Sequence, residues 1–330
     1  MQRSTAADLP SLGAFPVLDG ATTWLNSEPL TPSGLRGKVV VVQFCTFSCV
    51  NWLRTLPYVR AWAEKYRDDG LVVIGAHTPE FRFEHDVEKV RPALEAMGIA
   101  YPIALDNDFA VWSAFANQAW PALYFIDAQG RIRHRHIGEE DYERSERVIR
   151  QLLAEAGHEV GDEHLVSVEP GGVELAADWS RLGSLETYVG YARATGFASP
   201  GGLAPNRRRR YAAPPSLDLN HWALAGEWTV GDQLATLDEP GGRIAFRFRA
   251  RDVNLVLGLR PGLEPVRFVV HLDGEPPEDA RGVDVDQAGN GRVEDARLYQ
   301  LIRQDGTVTD RTFEITFLDP GAHAYVFTFG

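Results

Sequence analysis

Two cysteines, Cys45 and Cys49, are the only thiols among 330 residues, and both fall in the stretch Phe44-Cys45-Thr46-Phe47-Ser48-Cys49-Val50-Asn51-Trp52. One neighbouring pair cannot staple a chain of this length, so their closeness points to chemistry before architecture. A cysteine reacts as its thiolate, which is favoured where a loop enters a helix, because unpaired backbone N–H groups and the helix dipole stabilise the negative charge. Directly after Cys49, Leu53, Leu56, Val59, Trp62, Ala63 and Tyr66 recur at three- and four-residue spacing, which predicts a helix over 51–66 with Pro57 placed to kink it. Cys49 therefore stands at the loop-to-helix entry and is the expected nucleophile.

The elements that must hold this segment can be read on either side. Lys38 to Phe44, with four consecutive valines, is a β-branched run without alternation, as expected of a central strand covered on both faces. Leu71 to Gly75 reads as a second buried strand, Glu84 to Met97 as a second amphipathic helix, and Ala122 to Ile126 as a third strand entered through Trp120-Pro121. The turn Asp127-Ala128-Gln129-Gly130 leads to the alternating, edge-like strand Ile132 to His136, and Glu143 to Ala156 makes a closing helix. This β-α-β-α-β-β-α order is the plan of an α/β thioredoxin-like domain. In that plan the proline ahead of the third strand is usually cis and presents the preceding backbone to a substrate disulfide, which makes Trp120 and Pro121 candidate substrate-binding residues.

Beyond Gly157 helical periodicity gives way to short alternating strands between Gly, Pro and Asp turns: Ile244 to Ala250, Val253 to Leu257, Val266 to Leu272, Arg311 to Phe317 and Ala324 to Phe329. An all-β sandwich or jelly roll is expected there. The domains are therefore read as 1–158, thioredoxin-like with an N-terminal extension, 159–215, a turn-rich linker or belt, and 216–330, the sandwich.

Thr46 to Trp62, followed by His77-Thr78-Pro79-Glu80-Phe81, Asp106-Asn107, Trp120-Pro121-Ala122 and His136-Ile137-Gly138-Glu139, resembles the soluble thioredoxin-like part of the DipZ family. Glu186 to Tyr191, Leu237 to Gly242, Ala250 to Leu257, Gly282 to Asp286 and Phe327-Thr328-Phe329-Gly330 extend the resemblance into that family's second, carbohydrate-binding-module-like jelly roll. The resemblance implies thiol-disulfide chemistry with protein thiols and disulfides or a small thiol reductant as partners. That family pairs this part with a CcdA-type membrane domain, which is not expected within these 330 residues because no apolar run reaches membrane-span length. The resemblance also implies a Cys-x-x-Cys, yet Trp52 stands where the second cysteine belongs and Cys45 where a tryptophan belongs.

A dithiol enzyme attacks with its first cysteine and releases the mixed disulfide with its second, so Cys49 needs Cys45 or an external thiol as resolver. A Cys45–Cys49 disulfide demands Cα atoms within ~7 Å and converging Cβ atoms. In the redox reading, Trp52 frames the substrate groove with Trp120-Pro121. Two alternatives stand beside it. Thr46 and Cys49 have the Thr-x-x-Cys spacing of a peroxiredoxin, which would make a one-cysteine thiol peroxidase with Thr46 at the substrate, although Val42 occupies the place of that motif's proline. Alternatively the thioredoxin scaffold is retired, Cys45 and Trp52 are packing residues, and the chain is a non-catalytic binding protein whose sandwich holds the ligand.

Elsewhere the chemistry is thinner. Asp284-Val285-Asp286-Gln287-Ala288-Gly289 begins like a calcium loop, but Ala288, Arg292 and Asp295 occupy ligand positions wrongly, so a turn is expected. His134 and His136 face one side of a strand without zinc spacing, and neither metal nor cofactor is expected. Arg207 to Arg210 is the one basic run and is read as pairing with the protein's own carboxylates. Trp222, Trp228 and Tyr299 could form an aromatic sugar platform on the sandwich, or its core. With 44% hydrophobic and 24% charged residues the composition is globular, and a net charge of -13 argues against nucleic acid. No apolar run reaches membrane-span length, so as written the chain is expected to be soluble and cytoplasmic, with an extracytoplasmic setting the alternative if the N-terminus is truncated.

Overall fold

The computed structural model describes residues 9–161 and 164–330 and divides the chain into two units, residues 1–174 and 175–330. The first unit holds strands β1 (Gly13–Ala14), β2 (Thr23–Leu25), β3 (Val39–Cys45), β4 (Leu71–His77), β5 (Ile103–Leu105), β6 (Ala122–Ile126) and β7 (Arg131–Ile137). Its helices are α1 (Val50–Leu53), α2 (Leu56–Lys65), α3 (Val87–Ala96), α4 (Ala110–Ala114) and α5 (Tyr142–Glu155). The strands make one sheet of order β1-β7-β6-β3-β4-β5-β2, with β3, β4 and β5 parallel and β6 and β7 antiparallel. β3 is central and buried at every residue, as its run of valines demands. Val40, Val42 and Phe44 pack on one face with Ile74, Ala76, Phe115 and Tyr124, which leaves Gln43 and Cys45 on the other. α2 and α5 are joined through buried Glu146, which accepts from Trp62 Nε1 (3.2 Å) and Tyr66 Oη (2.5 Å).

Three local departures have physical causes. The helix expected over 51–66 is two helices, because Pro57 lies in the first turn of α2, where it has no N–H for the preceding turn and its ring blocks a continuous run. The helix expected from Glu84 starts as a 3-10 turn at Arg82–His85, and α3 begins only where the Asp86 side chain caps the Glu88 amide at 3.1 Å. An additional β5–α4 unit lies between β4 and β6; three residues of strand and five of helix are too short to show periodicity.

The second unit contains β8 (Thr187–Tyr188), β9 (Arg208–Tyr211), β10 (Trp222–Val230), β11 (Ala235–Leu237), β12 (Arg243–Phe248), β13 (Asp252–Leu259), β14 (Val266–Leu272), β15 (Asn290–Val293), β16 (Arg297–Arg303), β17 (Arg311–Phe317) and β18 (Ala322–Phe329). They form one antiparallel sheet that curls into a half-barrel and closes on its own core. Phe246 of β12 and Phe313 of β17 meet Phe327 of β18 at ring separations of 5.1 and 5.8 Å. The curl turns on β10, whose first half pairs with β12 and whose second half pairs with β9 and β11. Gly226 sits at the change of partner with φ +96, and a Cβ there would lie 2.9 Å from the Gly242 Cα, so the position needs glycine twice over.

The stretch 159–215, read from sequence as a linker, is largely built into the two units. Val166 N donates to Glu146 in the first, while β8, β9 and the buried Val189 and Tyr211 belong to the second. The arginines of β9 hide a strand inside a polar run: Arg208 and Arg210 pair with Glu227 and Glu239 while Tyr211 enters the core.

Candidate active site

β3 ends at Cys45, and the buried loop Thr46-Phe47-Ser48 turns the chain into α1, with Cys49 as its N-cap residue in an extended conformation. On the neighbouring strand Ala122 pairs with Phe44, so the chain entering β6 arrives beside the end of β3. That register brings Trp120 to the thiol: Cys49 Sγ lies 4.0 Å from the Trp120 carbonyl oxygen, and the Trp120–Pro121 peptide is cis. Cys49 is half-buried, and the Trp120 ring, also half-buried, leans on Trp112 at 4.4 Å between centroids. Cys49, Trp120 and Pro121 are thus brought together at the mouth of the loop, from segments 71 positions apart in the chain.

Cys45 has a different environment. It is fully buried, and its Sγ lies 3.6 Å from where a Cβ on Gly75 of β4 would stand. β4 and β6 flank β3 on opposite sides, so the Cys45 thiol leans toward one neighbour and the Cys49 thiol toward the other. Burial pushes the Cys45 thiol well above the usual cysteine range, and negative charge at Cys49 and Glu84 pushes it the same way.

The substrate-binding roles read for Thr46 and Trp52 do not fit their positions. Both are 0% exposed, so neither offers a surface to a partner in this conformation. Trp52 is buried with its indole N–H unpaired, and the Thr46 hydroxyl is turned toward the Glu84 carboxyl without closing a full hydrogen bond.

Two further groups stand at the site: Glu84, read from sequence only as the start of a helix, and His77, which belongs to a stretch that carries the family resemblance but has no role assigned from it. Glu84, wholly buried, accepts on Oε1 from Ser48 Oγ (2.6 Å) and Ser48 N (3.4 Å), and on Oε2 from Glu80 N (2.7 Å) and Phe81 N (2.9 Å). Burial raises its carboxyl, and the Ser48 and Thr46 hydroxyls and the Phe81 amide oppose that rise. His77, paired with Cys45 across β3 and β4, stacks on Phe47 at 5.9 Å, and neither ring nitrogen makes a well-formed hydrogen bond. Burial lowers its pKa to about 3. At the other end of α1, buried Arg54 pairs with Glu139 at 3.1 Å.

The other candidate sites resolve into structure. Trp222, Trp228 and Tyr299 are 0% exposed, so the aromatic sugar platform is corrected to core; their polar tips donate to the Thr195, Ala225 and Asp295 carbonyls. Asp284 is taken by Arg297 and the Gln300 amide, each at 2.7 Å, and Asp286 by Asn290, which makes the acidic stretch a turn. His134 lies against Phe125 and His136 against the Glu139 carbonyl. Among the described residues no helix is long and apolar enough to cross a membrane.

Sheet order, the strand-to-helix thiol and the facing cis-proline together define a thioredoxin-fold protein with one accessible cysteine. Residues 14–153 match the Redoxin family, and residues 184–330 match the family described as a thioredoxin-like C-terminal domain. The thiol-disulfide oxidoreductase YkuV of Bacillus subtilis is 31% identical over 141 residues, covering 43% of this chain and 95% of that protein. Protein DipZ of Mycobacterium tuberculosis is 39% identical over 276 residues, covering 82% of this chain. The chain spans about 38% of the length of the DipZ proteins it matches. A solved structure titled as a thioredoxin-like protein in the oxidized form is 32% identical, with a TM-score of 0.40, covering 43% of this chain and 96% of that one. The chain belongs to the thioredoxin-like thiol-disulfide oxidoreductase family, as a DipZ homologue in which the Cys-x-x-Cys is altered.

Proposed function

We propose that the protein exchanges disulfides through Cys49 alone, with an external thiol as resolver. The observation that carries this is the half-buried Cys49 Sγ 4.0 Å from the Trp120 carbonyl, where a substrate backbone can be held beside the nucleophile. The Cys49 thiolate attacks one sulfur of a substrate disulfide, forming a protein–substrate disulfide and releasing the other sulfur as a thiolate. A small external thiolate then attacks the Cys49 sulfur and releases the substrate's second thiolate. A second equivalent frees Cys49, so one substrate disulfide is reduced as two external thiols become a disulfide.

External resolution is favoured over Cys45 because Cys45 is buried, leans toward β4, and resists ionisation. Trp120 and Pro121 are assigned to substrate binding. The name of YkuV supports the reaction class. Protein disulfides are the proposed substrates and a small thiol the proposed reductant.

Intact-mass analysis after exposure to a peptide disulfide tests the reading, in wild type, Cys45→Ser and Cys49→Ser. The expected result is one peptide adduct, on Cys49, present in Cys45→Ser, absent in Cys49→Ser, and discharged only by added thiol. Spontaneous discharge as a Cys45–Cys49 disulfide would transfer the resolving role to Cys45. A folded wild type that forms no adduct would defeat the proposal and leave a thioredoxin scaffold used for binding.

A further inference from the structure

The Cys49 loop rests on a carboxylate. Four donors converge on Glu84, two on each oxygen: the Ser48 hydroxyl and amide on one, and the Glu80 and Phe81 amides on the other. An ionised carboxyl is an acceptor on both oxygens, whereas a protonated one must turn a donor toward one of these groups. Three of the four are backbone N–H groups that can only donate, so the donor set favours the charged form against the burial that raises the carboxyl.

We infer that Glu84 is a positioning residue for the nucleophile: its carboxylate fastens Ser48, fixes the backbone entering Cys49, and sets a negative charge behind the thiol that opposes its ionisation. The inference rests on the reading of Cys49 as nucleophile and goes beyond it by naming what sets its reactivity.

Ser48 is covalently next to Cys49, so a charge 2.6 Å from the Ser48 hydroxyl acts on the thiol through a short, dry path. The same carboxylate already acts on Cys45 at the end of β3, pushing that thiol up. The other titratable groups on this interior do not supply the effect. Cys45 stays protonated, His77 of β4 is neutral where thiols ionise, and Glu80 bears on Glu84 itself by raising it. The Thr46 and Ser48 hydroxyls are uncharged.

The test is the pH dependence of Cys49 alkylation by iodoacetamide in the full chain, with Cys45→Ser as background, compared with Glu84→Gln. The neutral side chain removes the charge, so the midpoint should fall by about half a unit to one unit. An unchanged or higher midpoint in a folded Glu84→Gln protein overturns the inference. The introduced amide would turn its NH2 group toward the Ser48 or Phe81 N–H, so this variant is at risk of unfolding. A second measurement needs no Glu84 variant: with 13C-labelled glutamate, the Glu84 carboxyl carbon should show a step where Cys49 ionises, lost in Cys49→Ser. Its absence in wild type overturns the inference equally. A wild type whose Cys49 never alkylates would instead remove the proposed function, so the two failures are distinguishable.

Discussion

At the scale of single residues, the interior behind the thiol carries titratable groups whose burial makes them pH-sensitive in opposite directions. His77 has a folded pKa of about 3 against an ordinary value of 6.5, so the unfolded chain binds the proton that the folded one refuses. Its stabilising effect is therefore complete above 6.5 and is lost as pH falls toward 3. Glu84, Asp106 and Glu139 are raised by burial, so their linkage runs the other way and weakens the fold as pH rises above the usual carboxylate range. The two trends overlap, and only a comparison isolates the histidine. Stability from urea unfolding, plotted against pH below 6.5, should fall less steeply in His77→Gln than in wild type, by about 1.4 kcal/mol per unit. Parallel slopes would mean that His77 is not held neutral. The sequence marks His77 only as part of a family-like stretch, without its burial, and does not mark Glu84 at all: Glu84 reads as the solvated start of a helix, and its burial is decided by a loop 36 positions earlier in the chain. The positions of Cys49 and Trp120-Pro121, though not their roles, can be read from sequence, because a strand end before a helix and the entry to a strand are fixed by chain order.

At the scale of elements, the short helix α1 is where the chain departs from a dithiol plan and where that departure has a structural consequence. Trp52, in the second cysteine's place, is wholly buried, so an indole is packed into the interior where a dithiol plan has a thiol. Restoring the motif with Trp52→Cys should produce two linked effects. The reduced variant should lose about 3–5 kcal/mol in chemical unfolding, because a buried indole leaves a cavity that the short α1 can only partly close. On oxidation it should form a disulfide between Cys49 and the introduced thiol, read as the loss of two hydrogens by mass, since residues one helical turn apart meet the Cα distance for a bridge. Wild-type stability in the reduced variant would show that Trp52 is not a packing residue. Long apolar elements such as β3 and β6 were legible because continuous burial on both faces forces continuous hydrophobicity. β5 was not, since Ile103-Ala104-Leu105 is too short a run to distinguish from a loop that touches the core.

At the scale of the whole molecule, the boundary between the units decides which pieces can fold. A sandwich that starts at residue 216, as the sequence pattern suggests, leaves out β8 and β9, because two residues of one strand and three arginines of the other look like linker. Each nevertheless completes an edge: Thr187 and Tyr188 pair with Phe327 and Val326 of β18, and Arg208–Tyr211 pair with the second half of β10. Val189 and Tyr211, at 0% and 4% exposure, enter the same core as Trp228 and Phe327. A chain of residues 175–330 keeps all of these contacts and should unfold in one cooperative transition. A chain of residues 216–330 loses two core side chains, each worth about 1.5–3 kcal/mol when buried, and so about 3–6 kcal/mol from a total of roughly 5–15. It also bares the backbone of β10 and β18, which invites edge pairing between copies. Denaturant midpoints and sedimentation of the two fragments measure both effects at once. The shorter fragment should unfold at lower denaturant and associate, while equal midpoints and two monomers would place β8 and β9 outside the folding unit and return the boundary to residue 216.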